Sequence, residues 1–189
     1  MKISASFFLL TLFEDTESVY AIRMSTRKFC LYCGGSLIVH EGQHLRCTQC
    51  HAIHFHNPVP ATAAIIVQDG KLLYVRRARE PRKGCWDFAG GFLDNGENGE
   101  EGIIRECREE LGVEIKILNM LGTSSDVYMY ADDNTKVLNL YYHCEIIRGE
   151  LQPADDVDGF AWFPIEDTPE NIAFKHMLEA LPGIRKKLG

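Results

Sequence analysis

One segment, Gly91 to Val113 (GFLDNGENGEEGIIRECREELGV), constrains this chain more than any other. Asn98 can cap a helix, Glu101 three residues later completes a capping-box pattern, and Gly112 supplies a stop. The spacing therefore predicts a helix from about Gly99 to Leu111. At about 100° per residue, Ile103, Ile104, Cys107 and Leu111 share an arc that can face a core, while Glu106, Glu109 and Glu110 share the adjacent arc. Those acids, spaced i, i+3, i+4, repel one another by roughly a few tenths of a kcal/mol per pair, and Glu109 and Glu110 also meet the negative end of the helix dipole. Arg105 reaches Glu109 at i+4 and leaves the other two without a partner. A hard divalent cation with oxygen ligands is the natural complement. A solvated acidic face is the competing reading of such a run.

The wider pattern favours the cation. Gly91, five residues, Glu97, seven residues, then Arg105, Glu106, Cys107, Arg108, Glu109, Glu110, Leu111, Gly112, Val113 resembles the Nudix box with every fixed position present. Only Cys107, a small hydrophobe at an aliphatic slot, is unusual. The resemblance implies magnesium or manganese on Glu106, Glu109 and Glu110, with a Gly91 backbone carbonyl in reach of a metal. It also implies that Arg105 orients the ligands and that Glu97 supports the loop or an outer water. A phosphoric anhydride repels nucleophiles by its charge, so its hydrolysis needs such cations.

Ahead of the box, Cys30-Leu-Tyr-Cys33 and Cys47-Thr-Gln-Cys50 form two Cys-x-x-Cys knuckles at zinc-ribbon spacing, which would close a structural zinc site with no open position. Disulfides are the alternative, disfavoured beside an intracellular-looking enzyme. The ribbon would support the N-terminal module or a dimer contact, so a homodimer stays open. His51, His54 and His56 alternate as on a strand with one polar face. Residues 1–23 imitate a secretory signal but are acidic after Phe13; the simpler expectation is an upstream extension, with the functional protein starting at Met24. The domains are then 1–23 extension, 24–57 zinc ribbon and 58–189 Nudix domain.

Net charge −7 argues against nucleic acid as partner, and no apolar run reaches the roughly 18 residues of a membrane span. A cytoplasmic enzyme acting on a small nucleotide is expected. Arg76, Arg77, Arg79, Arg82 and Lys83 cluster before the box, either as a solvated strand end or, for Arg76 and Arg77, as phosphate ligands. Ala61–Gln68 and Lys71–Arg77 read as a hairpin about Asp69-Gly70. Strands are expected at Val113–Leu121, Val127–Tyr130, Val137–Ile147 and Gly159–Phe163, and a helix at Phe174–Leu188 that could break at Pro182-Gly183. The resemblance implies an α/β fold, the Nudix α/β/α sandwich with a mixed sheet.

A ribbon joined to a Nudix domain resembles the NADH pyrophosphatase branch, which carries Ser-Gln-Pro-Trp-Pro-Phe-Pro after its box. This chain has Ser124-Ser-Asp-Val-Tyr-Met-Tyr130 there. Trp86, Tyr128 and Tyr130 are the aromatic candidates for the substrate, and Asp156 is the pick for an additional acid. The leading function is magnesium-dependent hydrolysis of a nucleoside diphosphate derivative of the ADP-ribose, NADH or dinucleoside polyphosphate type. The alternatives are a nucleotide sensor that uses the ribbon for a partner or nucleic acid, and a structural interaction module.

Overall fold

The computed structural model describes residues 27–41, 44–130 and 133–189, with backbone alone at 129, 130, 133 and 134. The 1–23 segment and its Met24 boundary lie outside the described residues. The chain divides into two compact units, one ending at Asn57 and one spanning Pro58–Gly189.

The first unit holds three short strands, β1 (Leu37–His40), β2 (His44–Cys47) and β3 (Ile53–His54), in one antiparallel sheet of order β1-β2-β3. The two Cys-x-x-Cys turns bring their sulfurs together, and all four Sγ atoms lie within 4.8 Å of one another. The N–H of Tyr32 donates to Cys30 Sγ at 3.4 Å and that of Gln49 to Cys47 Sγ at 3.4 Å. Burial raises the Cys47 thiol pKa, but the N–H donors of Cys50 and Gln49 and the neighbouring sulfurs bring it down to about 6. The strand expected to carry three histidines is shorter than the alternation suggested. His51 precedes it at φ 59, and only His54 lies on it, buried with Nε2 3.2 Å from Cys30 Sγ.

The second unit contains β4 (Val59–Gln68), β5 (Lys71–Arg77), β6 (Trp86–Asp87), β7 (Ala89–Phe92), α1 (Gly99–Leu111), β8 (Glu114–Tyr130), β9 (Asp133–Arg148), β10 (Val157–Pro164) and α2 (Lys175–Leu188). Its sheet runs β10-β5-β4-β9-β8, with β6 on β5 and β7 on β4. β4 and β9 are parallel and the other pairs antiparallel, so the sheet is mixed. Asp69 (φ 49) and Gly70 (φ 70) both take the positive φ that a two-residue I′ hairpin turn demands.

Alternation along the central strands explains the three layers. Ala64, Ile66, Leu73 and Val75 face one way, onto Ile103, Cys107 and Leu111 of α1. Ile65, Leu72 and Tyr74 face the other, onto Met177, Leu181 and Ile184 of α2. Both faces are covered, which is why these strands read as continuous apolar runs. Each fully buried aliphatic contributes on the order of 1.5–3 kcal/mol.

Two elements differ from expectation. The interruption between Leu121 and Val127 is absent, because Thr123–Asp126 pair with Val137–Leu140 and bulges at three places absorb the irregularity, one of them at Gly122 (φ 149). Cross-strand pairing overrides the poor strand preference of Gly-Thr-Ser-Ser-Asp. Helix α2 also runs unbroken through Pro182, which is exposed, while Leu181 and Ile184 anchor both sides of it in the core.

Candidate active site

Helix α1 starts and stops where its capping residues dictate. The Asn98 side chain accepts from the N–H of Glu100 and Glu101, the Glu101 carboxylate accepts from the Asn98 N–H, and Gly112 closes the end in the left-handed region at φ 68. Of its glutamates, Glu106 and Glu110 meet the β7 backbone, at Gly91 and Gly90.

Arg105 is the hub. Its Nε and Nη2 donate to the two oxygens of Glu97 at 2.8 and 2.9 Å, and its Nη1 donates to Glu106 at 2.8 Å and Glu109 at 2.9 Å. The reach is wider than the i+4 contact alone, since Glu106 and Glu97 are held as well. Hydrogen bonds from Arg105 and from the Asp94 N–H lower the Glu97 pKa. Burial raises that of Glu106 against the pull of Arg105.

Glu110 stands apart from this guanidinium. It is 6% exposed, and its Oε2 accepts the Gly90 N–H at 2.9 Å. Burial raises its pKa well above the usual carboxylate value, with that N–H pulling the other way. The glycines are required here. A Cβ on Gly91 would lie 2.6 Å from Glu106 Oε1, and one on Gly90 (φ 146) would overlap the Thr62 carbonyl oxygen. The acids can therefore approach the β7 backbone only where it lacks side chains.

These residues form one wall of a cleft of about 320 Å³. Asp155 and Asp156 stand at its rim, both paired to Arg79 at 2.9 and 2.6 Å. Phe92, Tyr128 and Phe174 also line it, with Tyr128 packed edge-on to Phe92 at 5.5 Å and tilted against Phe174 at 5.6 Å. The donor set at the α1 wall is hard carboxylate oxygen, which fits a magnesium-type cation. The ribbon's four sulfurs fit a soft, tetrahedral one.

The structure divides the expected substrate residues. Arg77 and Tyr128 line the cleft. Arg76 does not, because its Nε is paired to Asp158 on β10 at 2.6 Å. Trp86 also lies outside it, packed edge-on to Phe163 at 5.6 Å in the α2-side core. The Tyr130 side chain lies outside the described residues. Arg77 is itself engaged: Nη1 pairs with Asp87 at 3.0 Å, Nε donates to the Pro81 carbonyl, and the guanidinium sits 5.1 Å over the Phe174 ring.

Asp87, Asp126, Asn139 and His176 line the cleft without having stood out in the sequence. Burial raises the Asp87 pKa, with Arg77 opposing, and burial lowers that of His176. Each is a single polar residue in a strand or at a helix start. Only the register that gathers them could have shown them.

With this geometry in place, the chain is seen to belong to the NUDIX domain family, whose model matches residues 57–181. It is 34% identical over 128 residues to the ADP-ribose pyrophosphatase of Methanocaldococcus jannaschii, covering 67% of this chain and 72% of that one. It is 27% identical over 146 residues to the NAD-capped RNA hydrolase NudC of Pseudomonas aeruginosa, covering 75% of this chain but only 49%, about half, of that relative. In structure it resembles a NUDIX hydrolase from Nitrosomonas europaea, with TM-score 0.63, 25% identity, and 82% of this chain and 91% of the other covered. Among the described residues no helix is long and apolar enough to cross a membrane.

Proposed function

We propose that this chain hydrolyses the diphosphate linkage of a nucleoside diphosphate derivative of the ADP-ribose, NADH or dinucleoside polyphosphate type. One observation carries the reading: Arg105 gathers Glu97, Glu106 and Glu109 beside the buried Glu110, in a cleft that Phe92, Tyr128 and Phe174 also line. Glu106, Glu109 and Glu110, with the Gly91 backbone, would hold magnesium or manganese. When bound, the cation neutralises the anhydride oxygens and lowers the pKa of an attacking water. Arg105 keeps Glu106 and Glu109 oriented, and Glu97 fixes Arg105 in turn through a two-pronged pair. Gly90 holds Glu110 by its N–H. Asp156, which lines the cleft, would be the additional acid that assists with metal or water. Tyr128 would supply a ring for a base, and Arg77, which lines the cleft, would face the phosphates while its guanidinium braces Phe174.

The boundaries follow as ribbon over 24–57 and Nudix domain over 58–189, with residues 1–23 as an extension. In the ribbon, Cys30, Cys33, Cys47 and Cys50 would hold one structural zinc. The relatives named for ADP-ribose and for an NAD cap support the substrate class, and the matched Nudix unit supports the reaction.

The test is hydrolysis of ADP-ribose, NADH and a dinucleoside polyphosphate at fixed magnesium, with and without chelator. Metal-dependent cleavage of the diphosphate is expected. Full turnover after complete chelation, or no cleavage of any of the three, would overturn the proposal.

A further inference from the structure

Asn139 is 8% exposed, lines the cleft, and has an Nδ2 with no acceptor among the described residues. A buried donor left without a partner is a standing cost to the fold and calls for an explanation. Its place in the sheet supplies one. Asn139 is paired with Ala61 of β4 and Ser124 of β8, and it shares a strand face with Tyr141, which packs in the α2-side core. Asp126 and Tyr128 follow Ser124 at every second residue and come to that same face. Ala61 and Ala63, small residues on the adjoining strand, leave room above it.

The neighbouring polar groups already satisfy one another. Ser124 Oγ lies 2.9 Å from Tyr141 Oη, and Tyr141 Oη lies 2.7 Å from His176 Nδ1. His176 Nε2 faces the Asp126 carboxylate at 3.8 Å, and the chain closes with the ring proton on that nitrogen. Tyr141 then donates to Nδ1, and Ser124 donates to Tyr141. Each proton in that chain has a destination. The Asn139 amide is the donor left over, and it lines the same cleft as the mutually packed rings of Phe92, Tyr128 and Phe174.

We propose that Asn139 is a specificity-determining residue. Its Nδ2 donates to a hydrogen-bond acceptor on the edge of a nucleobase seated among those three rings, while the diphosphate lies at the glutamates. The inference rests on the hydrolase reading above and deepens it. A flat ring matches aromatic walls, and a site built around an unpaired donor rejects rings that leave the donor unmet.

The test holds the sugar constant and varies the base. Steady-state kcat and KM of the full chain are measured with magnesium for ADP-glucose, GDP-glucose, UDP-glucose and CDP-glucose, for wild type and for Asn139→Leu. The wild type should spread over the panel by at least about tenfold in kcat/KM. Asn139→Leu should lower the best substrate by roughly 10- to 100-fold, mainly through KM, and leave the poorest within about threefold, so the spread collapses. Its melting temperature should be unchanged or higher, because a leucine of similar size replaces an unpartnered amide. Asn139→Ala, which removes the amide donor, gives the same collapse and serves should the leucine variant fail to fold. A spread unchanged from wild type, a wild type indifferent to base, or an equal fall for all four substrates with a lower melting temperature overturns the inference alone. A wild type that cleaves none of the panel overturns this inference, and the hydrolase reading falls with it only when ADP-ribose, NADH and the dinucleoside polyphosphate also go uncleaved.

Discussion

Arg77 lines the cleft with its guanidinium held by Asp87, the Pro81 carbonyl and the Phe174 ring, so removing it should register first as lost stability. The perturbation is Arg77→Met, which keeps the apolar stem and deletes the guanidinium. The Arg77 and Asp87 side chains are only 19% and 16% exposed, and their ion pair is 3.0 Å long. Stranding the carboxylate of a buried pair costs about 3–5 kcal/mol, and partial exposure places this one at the low end. The bond to the Pro81 carbonyl and the contact over Phe174 add roughly another 1 kcal/mol after repacking by methionine. A loss of about 3–4 kcal/mol follows, or roughly 10–15 °C in melting temperature for a unit of this size. Asp87→Asn should cost less, about 1–2 kcal/mol, because the amide oxygen still accepts from Arg77 and a charge that burial disfavours is gone. The pH dependence has a definite sign. Burial raises the folded pKa of Asp87, so its stability contribution is fully present below the unfolded carboxylate value and declines as pH rises through the folded one. Removing Arg77 raises that folded value further, so the variant's deficit should be small near pH 4 and largest at neutral pH. Urea unfolding followed by circular dichroism, in chelator, across that range measures both. An Arg77→Met deficit below about 1 kcal/mol at pH 7, or an Asp87→Asn deficit exceeding it, would refute the reasoning.

Glu110→Gln should lower turnover by orders of magnitude while leaving the metal-free protein as stable or more so at neutral pH, since burial already disfavours that carboxylate; kinetics and thermal melts check the two halves. Protein purified under reducing conditions should carry one zinc per chain that survives dialysis, and metal analysis showing none would remove the ribbon assignment. Gly90→Ala should fold poorly, because its φ of 146 disfavours a side chain and a Cβ would overlap the Thr62 carbonyl oxygen; expression yield and melting temperature report it. The kcat/KM values for NADH and ADP-ribose should differ by less than about a hundredfold, and a much larger NADH preference would mean that Ser124 to Tyr130 replaces the missing signature by another route.

What was legible in the sequence was whatever is written locally. The α1 bounds came from three capping residues, the β4–β5 hairpin from Asp69-Gly70, and the sulfur cluster from two short spacings. All are contacts within a few residues or between repeats of one motif. The continuous β8 was not legible, because its weak middle is held by a partner strand some fifteen residues away, and propensity carries no knowledge of a partner. That Trp86 and Arg76 do not line the cleft was hidden for the same reason. Their residue types suit a nucleotide site, but Phe163 and Asp158 on the distant β10 claim them first.

The asymmetry also explains where the cleft's two walls stand. The wall proposed as catalytic sits on one helix, so its glutamates obey a single periodicity and can be read in order. The recognition wall is assembled from β7, β8, β9 and the start of α2, one residue or two from each, and no period links Phe92, Asp126, Asn139 and His176. A reaction shared across a family needs only the first wall to be preserved. A substrate preference can shift by single substitutions in the second without disturbing a helix cap, a glycine contact or the sheet order. For this chain, therefore, the sequence speaks clearly about the anhydride, and the identity of the base is decided at positions such as Asn139 that only the folded sheet brings to one face.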